Sequence, residues 1–210
     1  MNLDWMTQNA DETLYMEKLS NLLCTRGDKK CNNGPAQVLD HLYCGSKIDA
    51  HNFSLLRRLR ITHVLNCAPG LRNYDALASP YEEGQSGVVD YLELDILDNP
   101  SYPIIQAHYA RAKGFIDKAR ESGGRALVHC ELGVNRSAAL CVAYLMELEQ
   151  MSLLRAVRQL QIDRPNILCN EGFRRQLVNF AKDRNLLLPR RSQNQATETT
   201  VEHKSDQATK

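Results

Sequence analysis

Residues 129–137 of the chain read His-Cys-Glu-Leu-Gly-Val-Asn-Arg-Ser. The stretch follows the apolar run 126–128, which is typical of a buried strand, and it leads into residues 137–148, which are apolar on nearly all sides and predict a buried helix. A loop that closes onto a helix N-terminus points several backbone N–H groups into one small bowl, at the positive end of the helix dipole. Such a bowl fits a tetrahedral oxyanion.

Two side chains of this loop suit phosphate chemistry. The ordinary cysteine pKa of about 8.5 can fall to about 3.5–7.5 at a helix N-terminus, so we expect Cys130 to be a nucleophilic thiolate. Arg136 can place two N–H donors on two phosphate oxygens, and Gly133 permits backbone geometry that a side chain would block. The alternative is a buried structural cysteine beside a surface arginine, which the complete pattern disfavours.

The rest of the sequence predicts strands that alternate with helices. The strands are expected at residues 38–39, 41–45, 61–67, 88–96 and 126–128. Helices are expected at residues 11–23, from the N-cap Asp49 to Leu59, from near Pro103 to Gly123, and at residues 137–148. Two further helices are expected to start at the N-cap Ser152 and near Asn170. This alternation predicts an α/β fold, with a central mixed sheet flanked by helices on both faces. Residues 1–35 are expected to form an N-terminal helix and loop, 36–188 the main domain, and 189–210 a disordered tail.

Composition excludes several classes of protein. The charged residues are 26 Lys plus Arg against 25 Asp plus Glu, a net charge of +1, which gives no general attraction to nucleic acid or to an acidic membrane. No run approaches the roughly 18 apolar residues of a membrane span, and the start of the chain lacks the features of a signal peptide. We therefore expect a soluble protein of the cytoplasm, with the nucleus as a further location. No pair of the seven cysteines has the CxxC spacing of a zinc site, so no metal is expected.

The pattern His-Cys-x5-Arg-Ser resembles the signature loop of the cysteine-dependent protein tyrosine phosphatases. Similarity to the dual-specificity branch extends through residues 42–45, 61–66, 138–140, 143–146, 164–165 and 170–173. The leading helix and the long polar loop at residues 71–87 are most similar to the small, stand-alone atypical members, which lack a kinase-docking domain.

This resemblance implies the phosphatase sandwich fold and hydrolysis of phosphotyrosine and phosphoserine or phosphothreonine in proteins. The phosphate would pass through a phosphocysteine on Cys130, without a cofactor. An aspartic acid from a separate loop would protonate the leaving oxygen and then activate water. Asp90, Asp95 and Asp98 are the candidates. Asp98 fits best because it lies beyond the predicted strand and matches the spacing of the family, and Asp95 is held in reserve.

Further roles follow from the same resemblance. Ser137 would hydrogen-bond the cysteine and ease its departure in the second step, and His129 would orient the loop and support the thiolate indirectly. A helix-start serine and a strand-end histidine are the alternatives. Arg164 is a candidate for binding a second anion at the rim of the pocket, and a helix-end arginine without a ligand is its alternative. The substrate-binding loop would consist of Glu131, Leu132, Gly133, Val134, Asn135 and Arg136.

Two positions depart from the usual pattern of the branch. Asn135 stands where serine is common, and because its amide still offers a donor we expect altered tuning rather than loss of activity. Glu131 places a negative charge where phosphoinositide-specific members carry a basic residue, which disfavours multiply phosphorylated lipids. Two other functions stay open: a pseudophosphatase that binds phosphoproteins without turnover, and an enzyme for RNA 5′ ends, lipids or sugars. The sequence does not fix the oligomeric state.

A redox role is also predicted. A thiolate is the form of cysteine that oxidants attack, so Cys130 should oxidise to a sulfenic acid that a second thiol could capture as a disulfide. Cys67 is the candidate because it ends a predicted strand, where strand ends converge on the signature loop, and because a related phosphatase group places its partner cysteine similarly. A small core residue is the alternative.

Overall fold

The computed structural model of the chain describes residues 3–24, 34–69 and 87–188, with side chains from residue 11 onward. The predicted tail at 189–210 and most of the predicted loops at 24–35 and 71–87 lie outside the described residues. Within the described part, every helix is too short or too polar to serve as a membrane span.

Five strands form one mixed sheet. They are β1 Ala36–Leu39, β2 Leu42–Ser46, β3 His63–Asn66, β4 Asp90–Glu93 and β5 Ala126–Cys130. Their order across the sheet is β1-β2-β5-β3-β4. Strands β1 and β2 pair antiparallel, while the other three pairings are parallel. The predicted α/β class with a central mixed sheet is therefore confirmed.

The described residues also contain seven helices. They are α1 Leu3–Cys24, α2 Lys47–His51, α3 Phe53–Leu59, α4 Ile104–Glu121, α5 Arg136–Leu148, α6 Leu153–Gln161 and α7 Glu171–Asp183. The α1 helix begins at Leu3, whereas the sequence predicts a start at residue 11. The difference arises because the polar residues 7–9 interrupt the apolar spacing on which the prediction depends.

The sheet is covered on both faces because successive side chains of a strand point in opposite directions. One row across β2, β5 and β3 consists of Tyr43, Leu127 and Val64, and the next row consists of Cys44, Val128 and Leu65. The first row packs with Leu56 of α3 in a small core. The second row belongs to a larger core that also contains residues of α4, α5, α6 and α7.

Helix α5 runs through the larger core. Its residues from Arg136 to Met146 are all buried, in agreement with the apolar pattern of the sequence. The helix follows β5 after a loop of only five residues, 131–135. That loop therefore lies at the carboxyl ends of the parallel strands, which is where α/β sheets commonly bind ligands.

The prediction of a single helix capped by Asp49 was wrong. Ser46 is the N-cap of α2: its backbone N–H donates to the Asp49 carboxylate at 2.7 Å, and its hydroxyl accepts from the backbone N–H of Asp49 at 3.3 Å. This reciprocal arrangement is a capping box, in which the acidic residue occupies the third helical position. Asn52 then leaves helical geometry and caps the separate helix α3 by accepting from the Leu55 N–H at 3.0 Å.

Other boundaries differ less. Strand β3 starts at His63 rather than at Ile61, because the N–H of Ile61 donates to the Leu56 carbonyl at 2.9 Å and so belongs to the end of α3. Strand β4 covers only residues 90–93 of the predicted 88–96. Ser152 occupies the N-cap position of α6, but its side chain makes no capping hydrogen bond.

The packing of Leu127 in the smaller core leads to a stability prediction. Leu127 is fully buried, so Leu127→Ala should lower the free energy of unfolding by about 2–5 kcal/mol through lost burial and a residual cavity. Urea unfolding followed by circular dichroism measures this loss. Val89→Ala is the matched control, because Val89 is 75% exposed and should change stability by less than about 0.5 kcal/mol. Equal stabilities of the two variants would contradict the assigned packing.

Candidate active site

The loop between β5 and α5 depends on one glycine. Gly133 has φ of +71°, a left-handed conformation that side chains disfavour. A Cβ at this position would also lie 2.7 Å from the Gly45 carbonyl oxygen. The turn brings Cys130, the last residue of β5, and Arg136, the first residue of α5, to the two ends of a five-residue loop.

The thiol of Cys130 lies at the bottom of the loop and is 2% exposed. Its Sγ is 3.3 Å from the hydroxyl oxygen of Ser137. That hydroxyl also lies 3.4 Å from the Gly45 carbonyl oxygen, and the Cys44 thiol donates to it at 3.6 Å. Ser137 can therefore donate a hydrogen bond to a charged sulfur on Cys130.

The guanidinium of Arg136 is buried beside this thiol-bearing loop. Its Nη1 donates to the Ile96 carbonyl at 3.2 Å. Its Nε is buried, has no hydrogen-bond partner among the described residues, and lies 3.7 Å from Oδ2 of Asp98. A buried donor without a partner is costly, so this nitrogen fits an anionic oxygen of a ligand.

Of the three candidate acids, the structure brings only Asp98 to the site. Its Oδ1 accepts from Nδ2 of Asn170 at 2.9 Å, and Nδ2 of Asn135 is 3.2 Å from both of its oxygens. Asp90 is the first residue of β4, at the opposite end of the parallel strands from the loop, and pairs with Lys118 at 2.7 Å. Asp95 is exposed, and its charge acts on His108. Burial lowers the pKa of His108, and the negative charge of Asp95 partly opposes this effect.

The imidazole of His129 is neutral near pH 7. Burial penalises its charged form and lowers its pKa to about 4, and the positive charge of Lys47 acts in the same direction. Its Nδ1 is buried without a hydrogen-bond partner among the described residues. His129 therefore brings no positive charge to the thiolate, and its role in orienting the loop stays a prediction.

Arg164 does not fit the predicted second anion site. Its Nε donates to the Gly133 carbonyl at 3.1 Å and its Nη2 to the Leu132 carbonyl at 2.9 Å. Its Nη1 lies 3.4 Å from the Asp49 carboxylate, and both side chains are 9% exposed. Since each guanidinium nitrogen already has a protein acceptor, Arg164 supports the signature loop from behind instead of facing a ligand.

The other loop residues take different positions. Leu132 is 70% exposed at the rim. The Glu131 carboxylate is 4.0 Å from Lys47 Nζ, which offsets the negative charge that the sequence places at the loop. The Val134 carbonyl accepts from the Leu168 N–H at 2.8 Å. No cluster of metal-ligating side chains occurs within residues 11–24, 34–69 and 87–188.

Cys67 directly follows β3, and its N–H donates to the His129 carbonyl at 2.8 Å. Burial raises the pKa of the Cys67 thiol well above its ordinary value, and negative charge on Cys130 raises it further. Cys130 therefore acts electrostatically on Cys67, but a thiol with a raised pKa attacks a sulfenic acid slowly. The resolving role of Cys67 stays a prediction.

Sequence reasoning missed two residues that complete the site. Asn170 was recognised as a helix start, but its side-chain contact with Asp98 spans 72 positions of the chain. The sequence predicts Asp49 as an N-cap, whereas the structure shows it as the buried partner of Arg164. No local pattern signals either contact.

Residues 42–183 match the family described as dual specificity phosphatase, catalytic domain. The chain belongs to this family. Dual specificity protein phosphatase 26 of Bos taurus is 39% identical over 175 residues, which cover 82% of this chain and 77% of that relative. The predicted enzyme class, a dual-specificity protein phosphatase, is confirmed.

Solved structures of the same family share the fold of this dual specificity phosphatase. The crystal structure of DUSP15 matches with a TM-score of 0.62 and 30% identity, covering 74% of this chain and 94% of that one. A mouse putative dual specificity phosphatase, crystallised with zinc tungstate, matches with the same TM-score and identity and covers 78% of this chain and 98% of its own. The predicted phosphatase sandwich is therefore confirmed.

Gly172 allows the loop that carries Asp98 to pack closely against the start of α7 in this phosphatase. A Cβ at Gly172 would overlap the backbone of Pro100, two positions after the aspartate. We expect Gly172→Ala to displace the loop, lower kcat, and reduce the free energy of unfolding by about 1–3 kcal/mol.

Gly114→Ala is the matched control for this change. A Cβ at Gly114 meets nothing within 4 Å, so alanine should stabilise α4 by about 0.5–1 kcal/mol and leave turnover unchanged. Steady-state kinetics and urea unfolding measure both variants. Parental kcat in Gly172→Ala would show that the loop tolerates the displacement.

Proposed function

We propose that this phosphatase hydrolyses phosphotyrosine and phosphoserine or phosphothreonine in proteins through a phosphocysteine on Cys130. The observation that carries the proposal is the buried Nε of Arg136, which has no hydrogen-bond partner in the described part of the chain and lies 3.7 Å from the carboxylate of Asp98. A cation that can bind phosphate oxygens and a carboxyl group that can move a proton are thus held together above a cysteine.

In the first step, the Cys130 thiolate attacks phosphorus opposite the leaving oxygen. The S–P bond forms while the P–O bond to the substrate breaks, and Asp98 gives its proton to the departing oxygen. Arg136 and the loop N–H groups bind the other phosphate oxygens as their charge redistributes.

In the second step, water attacks phosphorus of the phosphocysteine and the Asp98 carboxylate accepts its proton. The S–P bond breaks, inorganic phosphate forms, and the thiolate is restored. Ser137, 3.3 Å from Sγ, stabilises the departing sulfur by donating its hydroxyl hydrogen. Asp98 thereby ends the cycle protonated, as it began.

Cys130→Ser tests the nucleophile. A neutral alcohol is a far weaker nucleophile than a thiolate, so release of phosphate from phosphotyrosine and phosphothreonine peptides in a metal-free buffer should fall below about 1% of the parental rate. Binding of phosphopeptide should survive, because Arg136 and the loop backbone are unchanged. Higher residual turnover would reject Cys130. An inactive parent that still binds phosphopeptides would establish the pseudophosphatase alternative. Turnover confined to RNA, lipid or sugar phosphates would establish an enzyme for non-protein substrates.

Asp98→Asn tests the general acid. The rate on phosphopeptides should fall by roughly 10²- to 10⁴-fold, the usual contribution of general acid catalysis. The loss should shrink for aryl phosphates with acidic leaving groups, which depart without a proton. Asp95→Asn is the matched control and should keep the parental rate. If Asp95→Asn is the damaging change instead, the acid has been assigned to the wrong aspartate.

A further inference from the structure

The side chain of Asn135 joins three segments of the phosphatase. Its Nδ2 lies 3.2 Å from each carboxylate oxygen of Asp98, and its Oδ1 accepts from the backbone N–H of Asn170 at 3.0 Å. The Asn170 side chain closes the ring by donating to Asp98 Oδ1 at 2.9 Å. The signature loop, the acid-bearing loop and the start of α7 thus meet in one small network of hydrogen bonds.

Besides this network, the acid-bearing loop is held through its backbone, by the close approach of Gly172 to Pro100 and by hydrogen bonds at its two ends. Its backbone is fixed at one end, where the Ile96 carbonyl accepts from Arg136, and at the other, where the Tyr102 carbonyl accepts from Gln176 at 2.8 Å. Between these points the carboxylate of Asp98 is held by side-chain amides. Because 32% of the Asp98 side chain is exposed, it would otherwise be free to turn toward water.

We propose that Asn135 is a positioning residue, which holds the carboxyl group of Asp98 over the signature loop in the orientation needed for proton transfer. The proposal rests on the proposed function, in which Asp98 is the general acid. It gives Asn135 a role through its side chain, separate from the phosphate-binding role of the loop backbone.

The network also selects the oxygen that carries the proton. Oδ1 of Asp98 accepts from both Asn170 and Asn135, whereas Oδ2 shares only the Asn135 donor. Because Oδ1 already accepts two N–H groups, Oδ2 is the oxygen with more room to carry a proton and to donate it. Oδ2 is the oxygen 3.7 Å from Nε of Arg136, on the side where phosphate would be bound. From there the proton passes to the leaving oxygen as the P–O bond breaks.

An asparagine suits this position better than its close analogues. The amide must donate to a carboxylate and accept from a backbone N–H at the same time, and this requirement fixes its orientation. Serine is one heavy atom shorter and has a single O–H, so it cannot span both partners. Aspartate has the same shape but would set a second negative charge against Asp98.

The experiment compares Asn135→Ser and Asn135→Asp with the parent on two substrates. One is a phosphotyrosine peptide, whose leaving group needs a proton, and the other is an aryl phosphate with an acidic leaving group. We expect kcat on the peptide to fall roughly ten- to a hundredfold, more in Asn135→Asp, with KM nearly unchanged. On the aryl phosphate the loss should be less than about threefold, because departure there requires little general acid catalysis.

A double-mutant cycle with Asp98→Ala makes the test specific. Without the carboxyl group Asn135 has nothing to position, so adding Asn135→Ser to Asp98→Ala should cause no further loss. Asn179→Ser, on the exposed side of α7, is the matched control and should behave as the parent. Thermal unfolding of each variant separates an effect on turnover from an effect on stability.

Two results would overturn the positioning role. Equal losses on both substrates, or the same loss in the Asp98→Ala background, would mean that Asn135 acts only on the shape of the signature loop. These results differ from a failure of the proposed function, which would appear as an active Cys130→Ser variant or a fully active Asp98→Asn variant. If those two variants are impaired as expected and the Asn135 variants match the parent, only the positioning role is rejected.

Discussion

The site depends on how the carbonyl groups of the loop between β5 and α5 are satisfied. The carbonyls of residues 131–134 all accept hydrogen bonds from the scaffold: Lys47 N–H binds the first, Arg164 the second and third, and Leu168 N–H the fourth. A peptide carbonyl and its N–H point in opposite directions. Anchoring the carbonyls outward therefore turns loop N–H groups toward the space above Cys130, where an oxyanion could be bound.

Burying the charge of Arg164 is the energetically unfavourable part of this arrangement. Its guanidinium is buried, and a buried charge is tolerated only when it is paired and hydrogen-bonded. Asp49 supplies the opposite charge, and Asp49 is itself held by Ser46 in the capping box of α2. Such buried pairs add little net stability but penalise other arrangements. The pair thus ties the carboxyl end of β2 to the signature loop and favours one loop conformation.

In the proposed mechanism, the reacting groups come from two different kinds of structure. Cys130 ends β5 and Arg136 begins a helix that is buried in the larger core, so both residues are held by regular secondary structure. Asp98 comes from an exposed loop and depends on amide contacts from Asn135 and Asn170. The proposed general acid is thus held by side-chain contacts, whereas the proposed nucleophile and the proposed phosphate-binding arginine are held by the secondary structure that bears them.

The sequence by itself determined the parts of this phosphatase that depend on local patterns. The alternation of strands and helices, the fully apolar helix α5, and the Cys130–Arg136 loop each arise from residues close together in the chain, where side-chain periodicity and backbone preference act directly. Only the tertiary structure decided the partner of Arg164, the neutral state of His129 and the amide contacts of Asp98. These depend on residues far apart in sequence, such as Arg164 and Asp49, 115 positions apart, and on burial. Contacts between distant residues and burial both follow from the path of the whole chain, which no local pattern encodes.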